Sequence, residues 1–506
     1  MGRLRVPMRI FATLILGAAA LCQEAVYPTR SVSVFHDSDF LANQEQVVRV
    51  VWSQDVTVPG DWLQLRFRDA SLPNGSRLKI YGSSRPEWVQ WHDARSLADY
   101  QQFSCQFLGP TLRVELHAGP ATVGNRVCIH EVHVHDVGGV VETDTICGPT
   151  DDRVLGSDVR QCRLNAGCTA WMFSPIAIGT AGHCMSAGTA GKILHFNVPL
   201  SSSTGGATPA HPNDQYAVDT FLQFLNAGVG QDWATMLAVR NSNTGLYPGQ
   251  AQGSWYTIVG APPVAAGQQI RITGYGSGNG VSGSPTWNLV QKTHLGNRQA
   301  TTTADALRYD TDTTGGNSGS PVVLENTGEV IGVHTHGGCT ATAGGNSGTD
   351  AARADFVAGR AAALAQHALG SITSFGAACG GTSNPALLVT GTPEIARLLT
   401  VRAIGLTPLV TIGWFVVGLS ATTWNGAPLP ADLGPIGIQG CQLRASIDYS
   451  EAVVSAGGVV SRSYTMPNDP GLVGQHIYFQ CFSASSAATN TLGIVGANAV
   501  DVLLGN

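Results

Sequence analysis

Short runs of alternating apolar and polar residues, broken by glycine- and proline-rich turns, recur along much of the chain. Val47-Val48-Arg49-Val50-Val51-Trp52, Trp62-Leu63-Gln64-Leu65-Arg66-Phe67 and Arg113-Val114-Glu115-Leu116-His117 follow the two-residue period of strands with one buried face. Pro59-Gly60 and Pro73-Asn74-Gly75 separate such runs as turns. Several short strands at this spacing predict a sandwich or jelly roll over residues 26–145. In Ile129-His130-Glu131-Val132-His133-Val134-His135 the alternation puts His133 and His135 on one face. That pair suits a metal ligand set, but one solvated strand face accounts for it as well, and we read it so.

Residues 147–371 form a second region. Ile176-Ala177-Ile178 and Val330-Ile331-Gly332-Val333 read as strands. In Gln231-Asp232-Trp233-Ala234-Thr235-Met236-Leu237 a lone acid precedes a mostly apolar run, as a buried carboxylate at the head of a strand would. Residues 351–369 have alanines and apolar residues at helical spacing without proline, which predicts a helix. Residues 372–385, rich in Gly, Ser and Asn from 379 onward, read as a linker to a last β domain over 386–506. Asn425-Gly426-Ala427-Pro428 and Pro467-Asn468-Asp469-Pro470-Gly471 mark turns within it. Its apolar run 409–419 is far short of the roughly 20 residues of a membrane span, so it reads as core strand. The expected fold class is predominantly all-β.

Composition narrows the class. Charged residues are 12% of 506, against 62 glycines, which fits a turn-rich β protein and excludes a coiled coil or a disordered chain. A net charge of −6 leaves no basic footprint for nucleic acid. Arg3, Arg5 and Arg9 precede an apolar run over 10–21, the pattern of a secretory signal peptide, here residues 1–22. Cys22 raises a lipoprotein reading, but Leu21 is large where a small residue is wanted. The expected location is extracellular or periplasmic. Setting Cys22 aside leaves ten of the eleven cysteines, an even number that reads as disulfides in an exported chain. Cys105 with Cys128 and Cys441 with Cys481 suit pairs within their own domains. Pairing among Cys147, Cys162, Cys339 and Cys379 stays open. With no CxxC pair, a zinc site is not expected.

The candidate chemistry lies in Gly315-Gly316-Asn317-Ser318-Gly319-Ser320-Pro321-Val322 and Thr180-Ala181-Gly182-His183-Cys184. A serine hydroxyl stays protonated at neutral pH, so acyl transfer needs a histidine base and an orienting carboxylate to converge on it. His183, Asp232 and Ser318 supply those types in an order that differs from the subtilisin and α/β-hydrolase orders. Gly316 and Ser320 flank Ser318, so no Gly-x-Ser-x-Gly elbow surrounds it. A second Gly344-Gly345-Asn346-Ser347-Gly348 repeats the pattern, but Thr349-Asp350 and a helix follow it. Ser347 therefore reads as a loop residue.

On these two motifs the chain resembles the trypsin/chymotrypsin superfamily over residues 147–369, and within it the bacterial V8-like glutamyl endopeptidases. The resemblance implies a double β-barrel with a C-terminal helix, flanked here by the two sandwich-like domains. It implies a cofactor-free, metal-free serine endopeptidase acting on proteins or peptides. The Gly316 and Ser318 N–H groups would form the oxyanion hole, and Cys168 would pair with Cys184 around the histidine loop. Asn317 departs from the trypsin pattern, where an aspartate pairs with a new N-terminus after cleavage. A precursor cut near Asp151-Asp152-Arg153-Val154 is one expectation, and retention of the N-terminal domain is the other. Thr313 and His334 fall where the V8-like branch binds a substrate glutamate, whereas Asp312 falls where trypsins select arginine or lysine. We take glutamate as the expected preference. The rival class is a secreted binding or adhesion protein with a vestigial peptidase core.

Overall fold

The computed structural model describes residues 29–135, 145–165, 167–259, 266–366, 370–395, 397–406, 411–455, 457–467 and 469–505. The expected signal peptide at 1–22 lies outside the described residues. The chain divides into two compact units, one ending at residue 364 and one beginning at 365.

The first unit opens with a sandwich of two four-stranded sheets. One runs Thr29–Asp37, Cys128–His135, Trp62–Phe67, Phe107–Leu108, and the other Arg49–Thr57, Thr111–Ala118, Arg77–Gly82, Arg85–His92. Leu112, Val114, Leu116 and Ala118 alternate inward along one strand, as its sequence period requires. Ile193, Ala217 and Val239 of the following domain belong to the same core as Leu63, Leu65 and Val132. The polar contacts there are reciprocal. Gln215 Nε2 donates to Gln106 O at 2.8 Å while the Gln106 N–H donates to Gln215 Oε1 at 2.8 Å. The sandwich is thus part of the first unit's packing. His133 Nε2 lies 3.2 Å from Glu131 Oε1, and His135 stacks on Trp62.

Two closed six-stranded barrels follow. The first runs Gln161–Leu164, Cys168–Met172, Ala177–Thr180, Asp232–Ala238, Gln215–Asn226, Ile193–His195 and back to Gln161–Leu164. The second runs Lys292–Gln299, Gln269–Gly274, Pro321–Leu324, Val330–His336, Asn346–Asp350, Ala306–Tyr309, closing on Lys292–Gln299. Val154–Leu155 adds a short strand to its edge. Ser347 lies in a strand, not a loop: Asn346–Asp350 hydrogen-bonds to both neighbours, and Gly348 allows their close approach. The predicted helix is Ala354–Ala365, whose Phe356 stacks on Trp233 of the first barrel.

The second unit carries a sheet ordered Ser371–Phe375, Ala499–Leu503, His476–Ala484, Thr411–Gly418, Tyr449–Ser455, and a three-stranded sheet, Ala386–Gly391, Leu398–Ile404, Val460–Thr465. The apolar run at 409–419 thus holds a strand inside a sheet. Residues 372–385 are not a plain linker, since Ser371–Phe375 pairs with Ala499–Leu503 and Cys379 bonds to Cys441. The turn-like composition after 378 masked that bridge, and the strand ahead of it has only Ile372 and Phe375 as large apolar residues. Cys147–Cys339 and Cys168–Cys184 are the other disulfides among the described residues. Cys105, Cys128, Cys162 and Cys481 are buried thiols, so the pairs Cys105 with Cys128 and Cys441 with Cys481 are not formed. These four pack as small apolar groups.

Candidate active site

His183 opens a one-turn helix, His183–Met185, directly after the strand Ala177–Thr180. Just ahead of it, a Cβ on Gly182 would collide with Leu225 O and crowd Trp233 O. Glycine therefore lets the histidine turn press against the strands that carry Asp232. Cys168–Cys184 ties the next residue to a neighbouring strand. Asp232 begins the strand Asp232–Ala238 and is fully buried. Its Oδ2 lies 2.6 Å from His183 Nδ1, and its Oδ1 accepts the His183 backbone N–H at 3.0 Å. Thr349 Oγ1 in turn donates to Asp232 O at 2.7 Å and accepts its N–H at 3.1 Å. A carboxylate at Nδ1 holds the ring proton there and leaves Nε2 as an acceptor. Nε2 is buried with no hydrogen-bond partner among the described residues.

The serine turn comes from the second barrel. Gly316 and Gly319 have φ of +99° and +88°, which side chains rarely adopt. At Gly319 a Cβ would also strike Thr169 O and Thr180 Oγ1. Thr169 of the first barrel grips this turn, its N–H donating to Ser318 O and its hydroxyl to Gly316 O, both at 2.8 Å. Cys184 Sγ lies 3.9 Å from Ser318 O, so the histidine turn and the serine turn abut. The N–H groups of Asn317, Gly319 and Ser320 donate to Thr314, His334 and Asn317 carbonyls, whereas those of Gly316 and Ser318 have no acceptor among the described residues. Ser318 Oγ makes a long contact of 3.5 Å to Thr335 O. Its hydrogen bond to His183 is unformed, as is common before substrate binds.

The three expected specificity residues fare differently. His334 is fully buried, and burial pushes its imidazole down to about 3, helped by His336 and His183. Its Nδ1 lies 2.6 Å from the Tyr309 hydroxyl, which burial holds well above the usual phenol range. Tyr309 therefore donates, and the neutral ring keeps its proton on Nε2. The Thr313 hydroxyl accepts from Asn346 Nδ2 at 2.8 Å and lies 3.2 Å from Thr145 Oγ1. Asp312 is turned toward the segment that carries Cys147 and Asp152. Its two oxygens accept the N–H groups of Cys147 at 2.7 Å and Asp152 at 3.0 Å, and burial raises its carboxyl above the usual range. Position six before the serine carried no information about which way the side chain turns.

Other residues at the site were missed. His336 faces His183 with ring centroids 6.3 Å apart. Asn346 gathers Thr145 O, Thr311 O and Thr313 Oγ1 through Nδ2, while its Oδ1 accepts the Gly338 and Cys339 N–H groups. The repeated Gly-Gly-Asn-Ser-Gly was the signal for Asn346, but the repeat pointed at its serine.

Residues 168–333 match the family model of the trypsin-like peptidase domain. The span holds His183, Asp232 and Ser318. No curated protein matches the chain. Among solved structures, one described as a thermostable serine protease AL20 from an extremophilic microorganism matches at 18% identity, covering 41% of this chain and 97% of that one, with a TM-score of 0.30.

Proposed function

We propose that this chain, a serine endopeptidase of the trypsin/chymotrypsin-like superfamily, is secreted, works through His183, Asp232 and Ser318, and cleaves preferentially after glutamate. The observation that carries the triad is the buried 2.6 Å contact of His183 Nδ1 with Asp232, which leaves Nε2 without a partner among the described residues. Ser318 Oγ attacks the scissile carbonyl and passes its proton to His183 Nε2. The Gly316 and Ser318 N–H groups receive the oxyanion, a contribution of about 3–4 kcal/mol per donor in comparable sites. The imidazolium, balanced by Asp232, protonates the departing amine. Water then enters, gives a proton to Nε2, and hydrolyses the acyl-enzyme by the same steps in reverse.

Glutamate preference is supported by a neutral His334 next to the serine turn, its backbone carbonyl accepting the Gly319 N–H and its backbone N–H donating to Ser320 O, both at 2.8 Å. Asp312 opposes it less than its sequence position suggests, because two backbone N–H groups already occupy its oxygens. A buried polar site that hydrogen-bonds a substrate group discriminates strongly against a side chain lacking that group. A peptide-library profile tests this. His334→Ala should lower cleavage after glutamate far more than after neutral residues. A wild-type profile dominated by arginine or lysine would overturn the preference. Export is supported by the three disulfides.

A further inference from the structure

The turn that presents the oxyanion donors contains Gly315 and Gly316, which have no side chains to hold it. Besides Thr169 of the first barrel, a brace reaches it from outside the barrels. Arg153, only 1% exposed, reaches in from the segment joining the N-terminal sandwich to the first barrel. One of its terminal nitrogens, Nη1, donates to Thr314 Oγ1 at 2.7 Å and to Asn317 Oδ1 at 3.3 Å. These two residues flank the glycine pair. The other, Nη2, donates to Ser277 O at 2.9 Å, and the Ser277 N–H closes back on Gly315 O at 2.7 Å. Asn317 Oδ1 also accepts the Thr314 N–H at 3.1 Å. The cation is balanced by Asp151, which takes Nε at 2.8 Å and Nη2 at 2.7 Å and is itself held by the Gly280 N–H at 3.1 Å. A planar guanidinium can bind this many acceptors in fixed directions, and a buried cation is tolerable only when so paired.

We propose that Arg153 is the positioning residue of the oxyanion turn, and that it holds the turn in working form in a chain left uncut between the sandwich and the barrels. The inference rests on the acyl-transfer role proposed for Ser318. Of the two expectations it favours retention of the N-terminal domain over a cut at 151–154, since a protease would have to extract a buried side chain to cleave there. The segment is also fastened on both sides. Cys147 is bonded to Cys339, and the N–H groups of Cys147 and Asp152 meet Asp312. Beyond it, Val154–Leu155 joins the second barrel. The uncut connection places Arg153, so no new terminus is required to order the turn.

The experiment uses the full chain, its intact mass measured before and after reaction with a fluorophosphonate. Wild-type protein unbroken between 147 and 154 should label stoichiometrically. Failure of any wild-type form to label would defeat the Ser318 reading itself. Labelling confined to chains cut in that segment would overturn only the present inference. Arg153→Met should lower kcat by about 10²–10³-fold, the range seen for loss of an oxyanion donor, with KM nearly unchanged. Affinity for a peptide boronic acid, which mimics the tetrahedral intermediate, should fall in parallel. Thr314→Val keeps the side-chain volume and removes one acceptor, and covers the case in which Arg153→Met does not fold. It should lower kcat about tenfold, with KM and melting temperature near wild type. Wild-type kcat and boronate affinity in folded Arg153→Met, or in Thr314→Val, would overturn the assignment.

Discussion

Asp232 holds His183 twice, through the ring at 2.6 Å and through the backbone N–H at 3.0 Å. One carboxylate thus sets both the tautomer of the imidazole and the position of the turn that carries it. Asp232→Asn should keep the turn in place, because Oδ1 can still accept the backbone N–H. The amide would then donate toward Nδ1 and favour the wrong tautomer. We expect kcat to fall by about 10³–10⁴-fold with KM little changed. Steady-state kinetics on a peptide substrate check this, and a loss confined to KM would contradict it.

The cystine beside the site should contribute to both stability and rate. Cys168–Cys184 closes a loop with a sequence separation of 16. Replacing both cysteines by alanine should cost about 3 kcal/mol, the figure expected for a loop of this length. It should also reduce kcat, since the bridge fixes the residue after His183. Denaturant unfolding and kinetics on the double variant measure the two effects separately. Unchanged kcat in a destabilised variant would show that the bridge does not position the histidine.

Asp312→Asn should leave the cleavage profile unchanged and lower stability by about 1–3 kcal/mol, the cost of a disrupted buried polar contact. The reason is that its carboxylate receives two backbone N–H groups of the joining segment. A thermal melt and a peptide-library profile decide the matter. Selective loss of cuts after arginine or lysine would return Asp312 to the substrate pocket.

Much of this site was legible because its chemistry depends on local motifs. The glycines around Ser318 are dictated by positive φ, and the histidine motif by Gly182's close approach to the strands behind it. The barrels followed from those motifs through resemblance, not from periodicity alone. What escaped were contacts made across long sequence separations. Nothing near Arg153 announces Asn317, which is brought to it only when the barrels close. Cys379 found Cys441 rather than a partner named by position, and four cysteines are buried as thiols where even number suggested bridges. Direction of a side chain was equally hidden, as Asp312 shows.

Acid should destabilise the fold through buried histidines. Burial pushes His92 down to about 3, below its ordinary value of 6.5. Unfolded chains therefore bind a proton there that folded chains refuse between those values, so stability rises with pH across that window. Lowering pH from about 6.5 toward 3 should progressively reduce the melting temperature. His92→Asn should start from a lower melting temperature and show a shallower decline. An equal slope in the variant would show that His92 does not supply the effect.

The central claim is that Ser318 is the nucleophile activated by His183. Fluorophosphonate labelling followed by peptide mapping tests it most directly. The account predicts one adduct, on Ser318, absent in Ser318→Ala and strongly slowed in His183→Ala, with Ser347→Ala labelling like wild type. An adduct on Ser347, or no adduct on folded wild-type protein, would contradict it.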